Sequence, residues 1–222
     1  MKYLLFLVIS FATFAQNKAI KLEIDSVVSV DSIPTERTFT INYHIENLTD
    51  KAISFIVNTQ NLIPINVGSQ KHNCYYKLFE EEKPIEMSTI FNSNFKSQKK
   101  ELKTYDNLSL EEVQKKSIEE TVKYFWEETN KNLMKSIVKM LPKETKSFIV
   151  KLYWNKERYR KEDEFEFYIE EKAQHYIAFS VNLLLEEFKE KLTEEQYATI
   201  KNYKTFIKGW YTSNKVAIDF SE

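Results

Sequence analysis

From Phe39 to Glu46 apolar and polar residues alternate without a break, Phe39, Ile41, Tyr43 and Ile45 against Thr40, Asn42, His44 and Glu46. A period of two places the first set on one face of an extended strand and the second on the other, so the segment must bury one face and wet the other. Ile20, Leu22 and Ile24 repeat the pattern against Lys21, Glu23 and Asp25. After the turn-forming run Asn47-Leu48-Thr49-Asp50-Lys51, the residues Ile53, Phe55 and Val57 restart it, which predicts an antiparallel hairpin with the Phe39–Ile45 strand. A second hairpin is predicted where Tyr75–Phe79 and Ile85–Phe91 flank Glu80-Glu81-Glu82-Lys83-Pro84.

Helical spacing interrupts the strands twice. Ser109 with Glu112 fits a capping box, and Leu110, Val113, Ile118, Val122, Phe125, Trp126, Leu133, Ile137 and Leu141 recur at steps of three and four before Pro142. The weak helix formers Thr129-Asn130-Lys131-Asn132 predict a kinked helix, or two helices, within 109–141. Over 185–202, Phe188 and Leu192 lead into a second capping-box pattern, Thr193 to Gln196, followed by Tyr197 and Ile200. Between and after these come Phe148, Val150, Leu152 and Trp154 with Ile149 and Tyr153 on the other side, which predicts a strand covered on both faces. Phe165, Phe167 and Ile169, then Ile177, Phe179, Val181 and Leu183, then Val216, Ile218 and Phe220 predict three more strands.

Short strands with turn signals and no βαβ order predict a mainly β fold, an antiparallel β-sandwich with helical inserts at about 109–141 and 185–202 in a single domain over 16–222. The stretch FTINYHIENLTDKAISF, from Phe39 to Phe55, resembles the paired early strands of bacterial immunoglobulin-like domains of exported proteins. Ser213-Asn214-Lys215-Val216-Ala217-Ile218 is similar to the last strand of such modules. The resemblance rests on strand pattern over about a quarter of the chain, lacks the paired cysteines of antibody domains, and meets two helical inserts that the pattern does not include. It implies an exported adhesion, binding or accessory module and no catalytic residues.

The charge balance, 32 Lys and Arg against 33 Asp and Glu in 222 residues, excludes a strongly basic nucleic-acid binder. Residues 1–15 carry Lys2, an apolar run from Tyr3 to Ile9 and small residues at Thr13 and Ala15, the three-part pattern of a secretory signal with cleavage expected after Ala15. The run is too short to span a bilayer, so no membrane span is expected after cleavage, and the location is periplasmic or secreted. The single cysteine, Cys74, opens the apolar run Cys74-Tyr75-Tyr76 and is expected to be buried.

Sites for chemistry are few. His44, His72 and His175 have neither zincin spacing nor a ligand pattern around them, so no metal and no cofactor is expected. The paired acids, such as Glu127-Glu128 and Glu186-Glu187, read as solvated helix surface, and there is no glycine-rich phosphate loop or nucleophile motif. The aromatic pairs are the stronger candidates: Trp210-Tyr211 between Gly209 and Thr212-Ser213-Asn214, Tyr75-Tyr76, and Tyr159 beside Tyr153-Trp154. At strand ends and loops such rings stack on sugars or anchor a protein partner, whereas core and edge packing is the competing use. The expected function is a non-catalytic binding or accessory module recognising a protein or glycan of the cell envelope. The alternatives are an exported hydrolase with a carboxylate site near His175, or a secreted protease-inhibitor module. Asn47-Leu48-Thr49 and Asn107-Leu108-Ser109 fit the N-glycosylation sequon, and Asp25-Ser26-Val27 and Asp31-Ser32-Ile33 look like short bacterial O-glycosylation sites.

Overall fold

The alternation around Tyr43 folds as the sequence requires: in the computed structural model, strand β2 (Glu36–Asn47) buries every second residue from Arg37 to Asn47. The structure describes residues 18–65, 72–85, 118–155, 169 and 173–221. The expected signal, the start of the first helical segment with its Ser109 cap, Tyr159, Phe165, Phe167 and the Asn107 sequon lie outside the described residues.

β2 is the middle of a three-stranded antiparallel sheet, between β1 (Ile20–Ile33) and β8 (Thr145–Asn155). Its pairing runs from Ile20↔Asn47 to Ile33↔Glu36 on one side and from Glu36↔Asn155 to Glu46↔Thr145 on the other. This corrects the expected hairpin with Ile53–Val57. Both edges of β2 are taken by longer strands of equal alternation, so β3 (Ile53–Ile56) pairs instead with β7 (Ile137–Met140), from Ile53↔Met140 to Ile56↔Ile137. The chain is turned away at Asn47. Its buried amide donates to the Lys51 carbonyl at 2.8 Å and the Leu141 carbonyl at 2.7 Å, and its Oδ1 accepts from the Thr49 N–H and hydroxyl.

A second, six-stranded sheet has the order β10-β9-β5-β4, formed by Trp210–Thr212, His175–Asn182, Asn73–Glu80 and Asn58–Pro64. β6 (Lys83–Pro84) returns on β5 through a two-residue turn, with Glu81 at φ 51°. Lys83 and Pro84, expected as turn, are already strand, and the expected returning arm beyond Ile85 lies outside the described residues. β11 (Val216–Ile218) follows β10 along the same edge of β9. The sheet is mixed and not purely antiparallel: β4 and β5 run parallel, with Leu62 beside Cys74 and Pro64 beside Tyr76.

One apolar core joins the two sheets, from Ile20, Leu22 and Ile24 of β1 through Phe39, Ile41 and Tyr43 to Tyr76, Phe179, Val181 and Tyr211. β9 is central and is buried at every position except Tyr176, which is partly exposed. β8 departs from expectation. Val150, Leu152 and Trp154 are buried, but Ile149 is 63% exposed and Tyr153 is exposed too, so only one face of this strand is covered. Buried Arg37 ties the C-terminal segment to β2, donating from Nη1 to the Asp219 and Ser221 carbonyls while Nε and Nη2 hold Asp31 at 2.6 and 3.1 Å.

The helices share a smaller second core of Ile56, Leu133, Leu185, Phe188, Leu192 and Ile200. α1 (Ile118–Lys135) runs unbroken through Asn130, against the expected kink, because tertiary bonds outweigh the poor local propensity. The Asn130 amide donates to Gln196 Oε1 at 2.6 Å and to the Lys191 carbonyl, and accepts from Gln196 Nε2. The expected helix to Leu141 stops at Lys135, since β-branched Ile137 and Val138 pair with β3 as strand β7. After a 3-10 helix (Glu186–Lys191), α2 (Glu194–Asn202) begins with the reciprocal Thr193–Gln196 capping box read from the sequence.

Candidate functional site

The strand registers decide what the aromatic pairs do. On β10, Trp210 faces Asn182 and Thr212 faces Ser180 of β9, while across β9 Tyr75 of β5 also faces Ser180. With a period of two, Trp210, Thr212, Asn182, Ser180 and Tyr75 therefore lie on the side of the sheet away from the main core. Tyr211, Val181, Cys74, Tyr76 and Phe179 lie on the core side and belong to that core. Each sequence pair is thus split: Tyr211 and Tyr76 are core residues, which corrects their place among the binding candidates. Trp210 and Tyr75, 135 positions apart in sequence as residues 210 and 75, are brought together.

Their rings are stacked, with centroids 6.1 Å apart and planes 19° from parallel. Tyr75 is 5% exposed and forms the underside, whereas Trp210 is 51% exposed and presents its indole outward. Burial, with the nearby Glu187 charge, raises the Tyr75 phenol above its usual pKa, so it is a neutral ring at any ordinary pH. Such a pair contributes about 0.5–1.5 kcal/mol beyond area burial and fixes the indole plane.

The backbone before Trp210 is held as firmly. Gly209 has φ 132°, a conformation that side-chain-bearing residues avoid, and an added Cβ there would sit 3.3 Å from the Tyr211 ring. The Gly209 carbonyl accepts from the Leu183 N–H at 2.8 Å, and the Tyr211 hydroxyl donates to the Lys208 carbonyl at 3.2 Å. Lys208 Nζ in turn reaches Glu186 Oε1 at 3.2 Å. Around the indole lie polar groups: exposed Thr212, whose hydroxyl is 3.4 Å from that of Ser180, and Asn182, whose Oδ1 accepts from the Leu184 N–H. The sequence reading missed Asn182, Ser180, Thr212, Lys208 and Glu186. The signal was present in the alternation of Ile177, Phe179, Val181 and Leu183, whose intervening positions include Ser180 and Asn182.

Elsewhere the titratable groups are dispersed. His44 lies on the outer face of β2, its Nδ1 2.7 Å from Asp25 Oδ1 and its Nε2 3.6 Å from Glu23 Oε2. His72 packs edge-on against Phe188, and burial, with the Lys191 charge, pushes its pKa down to about 4. His175, the residue proposed to stand beside a hydrolytic carboxylate, is buried edge-on to Phe220 with centroids 5.3 Å apart. Glu186 has its carboxyl held below the ordinary range by a backbone hydrogen bond and Lys208, the opposite of the raised pKa that a general acid needs. Among the described residues no group of three or more His, Cys, Asp or Glu side chains is placed to hold a metal ion, and no helix is long and apolar enough to cross a membrane. Of the glycosylation patterns, Asn47 is buried with its amide fully engaged, and Ser26 accepts from Asn42 Nδ2 at 2.9 Å.

Comparison with known proteins adds no relative: no family model, no curated protein and no solved structure matches this chain.

Proposed function

We propose that this chain is an exported, non-catalytic binding module of the cell envelope, periplasmic or secreted, built as an immunoglobulin-like β-sandwich with helical inserts, and that it takes a glycan across the Trp210 ring. The observation that carries the reading is the stacked Trp210–Tyr75 pair, with one ring buried and the other half exposed. A buried ring beneath an exposed one costs little ordering on binding, because the indole is already fixed in plane. The surroundings favour a sugar over a protein anchor. Exposed Thr212, on the same face of the sheet as the indole, and Lys208, two positions before it and paired with Glu186, offer a hydroxyl and a charged rim beside an apolar face, with Ser180 and Asn182 buried beneath, which suits a pyranose with one C–H face and a rim of hydroxyls. A protein hot spot instead favours an indole enclosed by a dry apolar ring.

The test uses residues 16–222 against purified envelope polysaccharides and their oligosaccharides, followed by tryptophan emission and calorimetry. Saturable binding that Trp210→Ala weakens by about tenfold or more, roughly 1.4 kcal/mol, supports the reading. Binding that Trp210→Ala leaves intact, or none to any glycan fraction, refutes it.

A further inference from the structure

We propose that the outer edge of β1 over Ser26–Val30, which no other described strand pairs with, accepts an extended strand from a protein partner whose apolar centre is flanked by lysine or arginine. This surface is separate from the Trp210 ledge and does not rest on the glycan reading.

β1 is the edge strand of its sheet, and among the described residues β2 is its sole strand partner, while the Asn214 side chain takes the Ile24 backbone groups just before Ser26. An edge strand presents alternate backbone N–H and C=O groups outward, and folded proteins commonly blunt such edges with lysine, proline or a short strand. Here the edge is long, at 14 residues, and its stretch Ser26-Val27-Val28-Ser29-Val30 has no charge and no proline. The register shifts between Ile24 and Ser26 and between Asp31 and Ile33 bound this stretch without interrupting it. Val28 and Val30 on one face are apolar and open, 51% and 56% exposed, and Ser29 between them is exposed on the other. Strand addition uses such features: main-chain hydrogen bonds supply affinity and alternate side chains supply selection.

Charge identifies the occupant. Asp25 and Asp31 stand at the two ends of the uncharged stretch, each with 42% of its side chain exposed although paired with His44 and Arg37 respectively. A second copy of this chain fits poorly. Pairing Ser26–Val30 antiparallel with itself sets Asp25 against Asp31 of the other copy, and pairing it parallel sets each aspartate against its twin. Like charges directly opposite are unfavourable in either case. A strand with cations at both ends and β-branched residues between them meets the same aspartates with opposite charge, which also fixes its register.

The experiment titrates residues 16–222 into fluorescein-labelled Lys-Thr-Val-Thr-Val-Thr-Lys and, in parallel, Glu-Thr-Val-Thr-Val-Thr-Glu, with hydrogen exchange read on residues 26–30. The expected result is saturable binding of the lysine peptide, protection of amides within 26–30, and binding of the glutamate peptide weaker by about tenfold or more. The double change Val28→Ser and Val30→Ser, at exposed positions that leave the core untouched, weakens binding by about fivefold. No saturable binding of the lysine peptide, equal binding of both peptides, or indifference to the double change overturns the proposal. Concentration-dependent dimerisation that protects residues 26–30 without peptide overturns it in favour of a second copy.

Discussion

The side-chain amide of Asn214 closes a ring of two hydrogen bonds with the backbone of Ile24, accepting from its N–H at 2.8 Å and donating to its carbonyl at 3.1 Å. Both partners stand where their strands break register: Ile24 at the bulge of β1, Asn214 between β10 and β11. One side chain therefore satisfies backbone groups that neither sheet pairs, and it joins the two sheets at their irregular points. Asn214→Ala leaves both Ile24 groups without this partner and is expected to lower stability by about 1–3 kcal/mol, read as a fall in the urea midpoint. Asn214→Asp keeps the acceptor alone and should fall between. An unchanged midpoint for the alanine variant would mean that the bulge holds itself.

Adjacent Trp210 and Tyr211 should respond in opposite ways. Tyr211 is core, so Tyr211→Ala is expected to cost about 3–5 kcal/mol of unfolding free energy. Trp210→Ala removes an exposed ring and loses mainly its stacking on Tyr75, about 1 kcal/mol, so its midpoint falls much less than that of Tyr211→Ala. Equal losses for the two variants would show that the indole is a structural member and not a presented surface.

Cys74 is buried in the main core, and burial raises its thiol well above the usual pKa. Reaction requires the thiolate, so the native protein should fail to react with an aromatic disulfide reagent at pH 8. Full reaction should follow on addition of denaturant, one thiol per chain. Rapid reaction of the folded protein would contradict the packing of β5 against β9.

Asn47 fits a sequon in sequence yet is expected to stay unmodified in the folded protein, because its amide nitrogen already serves two carbonyls in a buried site. Expressed in a glycosylating host with Asn107→Gln, the mature chain should show no glycosidase-sensitive shift in mobility. A shift would mean that modification precedes folding of the β2–β3 turn. Asn47→Ala should instead destabilise by about 1–3 kcal/mol, since it removes the amide donor of the Leu141 carbonyl and the acceptor of the Thr49 N–H, while the Lys51 carbonyl keeps the Thr49 hydroxyl as a donor.

What was legible in the sequence was local. The alternation from Phe39 to Glu46 gave β2 and its buried face, and Thr193 with Gln196 gave the cap of α2. What was not legible was pairing, because period two says which face is buried and nothing about the neighbour. Ile53–Val57 looked like the returning arm of a hairpin, but its residues Ile53–Ile56 went to β7, whose Ile137 fitted the helical spacing. The same period explains the site. Neighbouring aromatics read as pairs along the chain, yet a strand sends neighbours to opposite faces, so the stacked pair drew one ring from each.

His72 supplies the clearest dependence on pH. Its ring is packed against Phe188, its Nδ1 has no hydrogen-bond partner among the described residues, and its carbonyl accepts from the Asn58 N–H at the junction of β4 and β5. Burial, then the Lys191 charge, lowers its pKa from 6.5 to about 4. In the unfolded chain the imidazole takes up a proton below about pH 6.5, whereas in the folded chain it stays neutral until about pH 4, so the unfolded state binds more protons between these limits. Its contribution is complete above about pH 6.5 and is lost as pH falls toward 4, with a total on the order of 2 kcal/mol after allowance for partial exposure. The lowered carboxyls of Asp219 and Glu186 act further down, near and below the ordinary carboxylate range. Urea midpoints measured from pH 7 to pH 4.5 should therefore decline in the unchanged protein and decline less in His72→Gln. Parallel declines would place the sensitive group elsewhere.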